Sequence, residues 1–230
     1  MARPGFVHEV DERTPPLVVS AGDVLRAERL PLGSRVVYAP EPLAPVPDLR
    51  EAIAAALAAP LDSAPLRQRL QPGMRLTVAF DDLTTPSPPM RQPDVRGWIV
   101  EGVLAVAAEA GVDDVTLVCA RGLRRRLTDS ELHGLLGERV FRSFFADGRL
   151  VQHDAEETDG LVTLGGGPDG VGVQINRRAA ESDLVVMVHA ADDPADVGWA
   201  TVAAGLGSPS TVGHLGPHGT AAEDQTAALR

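Results

Sequence analysis

The sequence predicts an α/β domain, a doubly wound and mostly parallel sheet with helices on both faces, preceded by a small N-terminal β layer and carrying one hairpin. Three observations carry that expectation. Apolar runs of strand length, Leu76 to Phe80, Val115 to Cys119, Leu150 to His153 and Leu184 to His189, are separated by amphipathic stretches of helical period. Two helical stretches open on capping signatures, Asp48 with Glu51 and Thr128 with Glu131. The 230 residues, 44% apolar and 23% charged, are ordinary globular usage and long enough for a real core. Strands that alternate with helices need crossovers, and crossovers make parallel sheets.

The elements follow in order. Residues 1–47 are Pro-rich and hold the short apolar pieces Leu17 to Ser20 and Arg35 to Tyr38, read as strands between turns. Asp48 and Glu51 precede Ile53, Ala54 and Leu57, so a helix is expected from about Asp48 until Pro60 stops it, with a second short helix from Ser63 to Leu70. A strand from Leu76, a polar loop, a helix from about Asp94 to Ala110 closed by Gly111, and a strand from Val115 form a βαβ unit. Thr128 opens a helix expected to reach about Leu136. Leu161 to Leu164 and Val171 to Ile175 flank Gly165-Gly-Gly-Pro-Asp-Gly170 and read as a hairpin added to the main sheet. Residues 1–200 are thus expected to be one α/β domain with 1–47 as its β-rich opening, and residues 201–230 a Gly- and Ala-rich tail of poor order.

Composition excludes several functions. Acidic residues number 32 against 21 basic, a net charge of -11 that repels nucleic acid and anionic membranes, so neither is an expected partner. No run approaches a membrane span and the N-terminus lacks a signal-type apolar stretch, which points to the cytoplasm. All 21 basic residues are Arg. A phosphate-loop lysine, a Schiff base and any cofactor tether through a lysine amine are therefore excluded. Cys119, the one cysteine, lies in an apolar run and reads as a buried structural thiol.

Ligands of open parallel sheets bind beyond the carboxyl ends of the strands. The loops there read Asp81-Asp-Leu-Thr-Thr-Pro-Ser-Pro88, Arg121-Gly-Leu-Arg-Arg-Arg126, Asp154-Ala-Glu-Glu157 and Ala191-Asp-Asp-Pro194. The first offers acids and hydroxyls that can order a loop around a phosphate or carboxylate, or can form no more than a capped turn. Its Asp82, Thr84 and Thr85, with Arg124 and Arg125 of the second, form the candidate anion or cofactor site. The competing reading of the arginines is a solvated charged face. His153 and His189 end strands, where a histidine bonded within the fold is commoner than a catalytic base. Gly165, Gly167 and Gly170 fit G-x-G-x-x-G but lead into a strand, so no dinucleotide fingerprint is read. His214 and His218 have a helical metal spacing, yet Gly213, Gly216 and Pro217 argue against that helix, and no metal site is predicted. His8 and His133 have no informative context.

The Ala59-Pro-Leu-Asp-Ser-Ala-Pro-Leu-Arg67 segment and the Asp82-Leu-Thr-Thr-Pro86 loop resemble the nickel-pincer lactate racemase (LarA-like) family in its N-terminal domain. The likeness continues through Ala120 to Leu136, Gln152-His-Asp154, Gln174-Ile-Asn176 and Ser182-Asp-Leu-Val185 to about Gly198 and Trp199. The resemblance implies a two-domain α/β enzyme that interconverts 2-hydroxy acid stereoisomers with a nickel-pincer nucleotide held between its domains. The family's functional positions depart here one after another. In its D-x-T-R-P loop the arginine is Thr85, and in its G-x-H-R-P loop the histidine is Arg124. The lysine of its I-N-K step, which carries the cofactor covalently, is Arg177, and the position of its nickel-binding histidine falls near Pro194, where the segment offers only Asp192, Asp193 and Asp196.

The expected function is that of a LarA-like N-terminal domain related to lactate racemases and epimerases, without the ordinary covalent nickel-pincer chemistry and retaining a site for a small anion such as a 2-hydroxy acid. Two alternatives stay open. One is half of a split 2-hydroxy acid racemase partnered by a second LarA-like chain, and the other is a non-enzymatic ligand-sensing or protein-interaction domain.

Overall fold

A computed structural model describes residues 6–21, 24–38, 44–82, 90–166, 172–190 and 198–215. The chain divides into two compact units, Met1–Pro47 and Asp48–Arg230. The first holds two antiparallel ribbons. β1 (Val7–Glu9) pairs with β4 (Arg35–Val37), and β2 (Leu17–Ala21) pairs with β3 (Val24–Glu28). All five residues of β3 are exposed, so the strand has no apolar alternation that sequence reading could detect.

The second unit carries the sheet. It opens with α1 (Leu49–Ala58), whose first turn is capped by the Asp48 carboxylate accepting from the Glu51 amide at 3.0 Å, and α2 (Leu66–Arg69). Next come β5 (Arg75–Asp81), α3 (Val95–Glu109), β6 (Asp114–Ala120), α4 (Asp129–Phe145) and β7 (Leu150–Gln152). After β8 (Leu161–Gly166), β9 (Gly172–Asn176) and α5 (Arg177–Ala180), β10 (Leu184–Val188) returns to the sheet. Among the described residues the sheet order is β10-β5-β6-β7 and every pairing is parallel. The doubly wound expectation holds, because strand alternation sends apolar residues to both faces. Leu76, Val78, Phe80, Leu117 and Cys119 pack with Val100 and Val103 of α3 and Leu132, Leu135 and Val140 of α4. On the opposite face Ala79, Val118 and Ala120 pack against Ala179 of α5 and Leu206 of α6 (Trp199–Leu206).

Several expectations need correction. β8 and β9 form a two-stranded sheet of their own instead of extending the main one. α4 continues past Leu136 to Phe145 because Gly137, at φ 78°, permits a kink and the chain then resumes helix with Val140 and Phe144 turned to the core. Residues 201–215, expected to be poorly ordered, complete α6 and form α7 (Pro209–Leu215). The Gly and Ala content that looked like disorder allows close approach. A Cβ on Gly122 would stand 2.3 Å from the Ala204 carbonyl oxygen, and the Gly122 amide donates to Gly205 O at 2.9 Å. α7 passes through Gly213 and ends at Leu215, and the span from His214 to His218 that the glycines and Pro217 argue against as a helix runs into residues 216–230, outside the described residues. No helix among the described residues is long and apolar enough to cross a membrane.

Candidate functional site

The carboxyl edge of the sheet divides into two halves. In the first, β5 ends on Asp81 and the chain continues to Asp82; both carboxylates are buried, Asp82 completely. Arg96, in the first turn of α3 and only 3% exposed, ties this end together. Its Nε and Nη2 grip Asp94 at 2.9 Å each, and its Nη1 donates to Asp81 Oδ1 at 3.0 Å and to the Asp82 carbonyl at 2.6 Å. Burial works against the charge of Arg96, but the hydrogen bonds and fields of Asp94 and Asp81 outweigh it and raise its pKa further. The same pairing overcomes the burial of Asp94 and holds its carboxyl below the usual range.

Asp81 also receives β10. Its Oδ2 accepts from His189 Nδ1 at 3.1 Å and from the Ala190 amide at 3.2 Å. A carboxylate oxygen that takes the backbone amide can only accept from the imidazole as well, so Nδ1 bears the proton. The other nitrogen, Nε2, is covered from solvent and has no hydrogen-bond partner.

In the second half, β6 leads to Arg121 and Gly122, and β7 to His153 and Asp154. Arg121 Nη2 stands 3.4 Å from Asp154 Oδ2 and its Nη1 donates to the Arg124 carbonyl. Arg124 reaches back to Asp82 Oδ1 and remains 45% exposed. His153 is fully buried and bonded at both nitrogens, Nε2 donating to Gly207 O at 3.1 Å and Nδ1 accepting from Asn176 Nδ2 at 3.3 Å. Burial, reinforced by the charge of Arg121, keeps it below its ordinary pKa. Cys119 beneath this edge is buried, which with the charges of Asp82 and Asp81 pushes its thiol up to about 12 and leaves it inert.

The structure thus brings together Asp82 and Arg124 from the predicted anion site, whereas Thr84, Thr85 and Pro194 lie outside the described residues. Arg125 turns to Glu131, with two nitrogen to oxygen contacts of 2.9 and 2.6 Å. That pairing, with the Thr128 amide bond, holds the Glu131 carboxyl down at about 2. Arg125 therefore braces the α4 capping box. Arg177 opens α5, and its Nε and Nη2 donate to the carbonyls of Asp159 and Leu161 at 2.8 and 3.0 Å. Sequence reading missed Arg96 as the organiser. One signal was available: a cation in the first turn of a helix opposes the helix dipole and needs a local acid to justify it.

Fold and polar strand ends define an α/β domain of the class in which ligands bind beyond the carboxyl ends of a parallel sheet. Residues 27–201 match the family model described as the lactate racemase N-terminal domain, and the chain belongs to that family. Its structure is similar to the lactate racemase apoprotein from Thermoanaerobacterium thermosaccharolyticum, with a TM-score of 0.60 and 17% identity, covering 85% of this chain and 51% of that one. At that identity the likeness is one of fold, and the chain spans about half the length of that racemase. A protein from Thermotoga maritima matches less well, with a TM-score of 0.41, 15% identity, and coverage of 60% of this chain and 32% of that one. No curated protein matches.

Proposed function

We propose that this lactate racemase N-terminal domain binds a small carboxylate-bearing anion, of the 2-hydroxy acid class, at the carboxyl edge of its sheet without a covalently tethered cofactor. The observation that carries this reading is Arg124, held by the buried Asp82 and still 45% exposed at the strand ends. A guanidinium held by a buried acid at the strand ends has the planar, charged chemistry that recognises a carboxylate.

The nickel-pincer nucleotide implied by the family resemblance would supply hydride transfer. The residues here do not fit its covalent attachment. The sequence has no lysine, and Arg177, at the resembling position, spends its guanidinium on two backbone carbonyls. No catalytic step is derived through that group.

A second reading is favoured by coverage. In it the chain is one half of a split 2-hydroxy acid racemase, and a second LarA-like chain would complete the edge, as the 51% coverage of the solved racemase allows. The same edge in a ligand-sensing domain would bind without turnover.

Calorimetric titration with L-lactate and D-lactate tests the site. The full chain is expected to bind at least one isomer, and Arg124→Ala to weaken it at least about tenfold, as expected for a lost charge-assisted bond, with an unchanged circular dichroism spectrum. Equal binding by the variant, or none by the parent, removes the anion site.

A further inference from the structure

A cavity of about 430 Å3 opens on the helices, and none of the residues lining it belongs to the loops at the strand ends. That volume falls among small-molecule sites, which are mostly apolar with a few converging polar groups. α1 and α3 form its walls. Eight of the ten residues of α1 are Ala, Leu or Ile, yet none of the ten is buried, although a helix of this composition ordinarily hides an apolar stripe. The two helices meet at Gly102, where a Cβ would stand 2.7 Å from Ile53 Cγ2 and 3.5 Å from Leu57 Cδ1. Ile53 and Leu57 thus close the floor, and like Trp98 and Val106 they stay half-buried. The charges at the rim do not cancel. Arg50 stands 3.6 Å and Arg139 3.1 Å from the two oxygens of a single carboxylate, Glu101, and both arginine side chains are open to solvent, at 67% and 83% exposure. Arg50 also lies over the Trp98 ring at 4.2 Å, which sets its guanidinium beside the apolar floor. Two guanidiniums on one carboxylate leave one positive charge over, while Arg67 and Glu109, also lining the cavity, offset one another. A net cation at one end of an apolar trough complements an anion with an apolar body.

We propose that this groove between α1 and α3 binds a medium-chain aliphatic carboxylate, its head on Arg50 and Arg139 and its chain along Ile53, Leu57 and Val106. Guanidiniums present planar, charge-assisted donors to a carboxylate. From Arg50 to Leu57 the helix rises about 10 Å at about 1.5 Å per residue, the reach of a chain of about eight carbons. The methylenes supply affinity in proportion to the area they bury, and the charged head fixes which way the chain lies. The groove shares no residue with the strand-end site and does not depend on that reading.

Calorimetry on the full chain with octanoate, hexanoate and octanol separates the two contributions. Octanoate is expected to bind, hexanoate to bind about fourfold or more weakly for the two methylenes lost, and octanol at least about threefold more weakly for want of a charge. Ala105 lines the cavity and is exposed, so Ala105→Leu, a good helix former there, should fill the trough and abolish binding. Arg139→Gln should weaken octanoate at least about threefold and leave octanol as it is. The indole resonance of Trp98, assigned with Trp98→Phe, should move on adding octanoate to the parent, a readout that stands should a groove variant fail to fold. An excess of L-lactate should not displace octanoate, which keeps the outcome separate from that of the strand-end site. Failure of the parent to bind octanoate, equal binding by Ala105→Leu, or displacement by L-lactate overturns the proposal. So does a parent dimer that Ala105→Leu dissociates while the Trp98 resonance ignores octanoate, because the groove is then a contact between copies of the chain.

Discussion

His153 and His189 occupy equivalent places in the fold and have opposite environments. Each is the first residue after an edge strand of the parallel sheet, His153 after β7 and His189 after β10. His153 has α6 and α7 behind it, takes the Gly207 carbonyl and the Asn176 amide, and is closed. His189 has a carboxylate on one nitrogen and nothing on the other. The position of a histidine at a strand end therefore does not decide whether it can meet a ligand. What decides it is whether the neighbouring segment supplies one partner or two, and the glycine-dependent docking of α6 onto β6 supplies the second only on the His153 side.

The largest way to break the comparison is to remove what orients His189. Arg96→Met fills a similar space but leaves Asp81 and Asp94 buried without their cation. Losing one partner of a buried ionic cluster costs roughly 3–5 kcal/mol, and urea unfolding should show a loss of that size. A loss below about 1 kcal/mol would mean that the cluster is solvated and that Asp81 does not need Arg96.

The next prediction sharpens the closed side. His153→Gln retains a donor for Gly207 but leaves the Asn176 amide without its acceptor, a loss of about 1–3 kcal/mol for a buried polar group. The pH dependence separates this from general damage. The folded pKa of His153 lies below its ordinary value of 6.5, so the fold favours the neutral ring. Its contribution is complete above about 6.5 and declines as pH falls from there towards the folded value, because the unfolded chain then binds the proton that the native state refuses. Unfolding midpoints of the parent should fall more steeply between pH 7 and 5.5 than those of His153→Gln. Parallel slopes would show that the ring is not held neutral.

Much of this arrangement was legible in the sequence, for definite reasons. The central strands β5 and β6 are near-continuous apolar runs because both of their faces are covered, and Asp48, Asp94 and Thr128 mark helix starts because their side chains satisfy local amides. Those signals are short-range. β1 and β3 were not legible, since ribbons with exposed residues leave no periodic apolar pattern. α6 was hidden by glycines whose value lies in contacts with residues some 80 positions earlier, such as Gly122 with Gly205. The same limit applies to the site. Asp82 and Arg124 could be nominated loop by loop, but Asp81 and His189 are 108 residues apart and meet only because β10 lies beside β5.

The smallest effect concerns Arg177, on the His153 side of the molecule. Asn176 accepts the Ala179 amide and donates to His153, so the turn from β9 into α5 carries a histidine contact while the next residue staples the chain to Asp159 and Leu161. Arg177→Lys restores the residue type that the family resemblance places there but offers a single ammonium in place of a planar fork. It should lose one of the two carbonyl contacts and about 1 kcal/mol of stability, the worth of an ordinary hydrogen bond, with the His153 pH slope unchanged. Stability equal to the parent's would mean that the guanidinium is not holding the turn. The position would then be open to a lysine, and the argument against a tether would rest on composition alone.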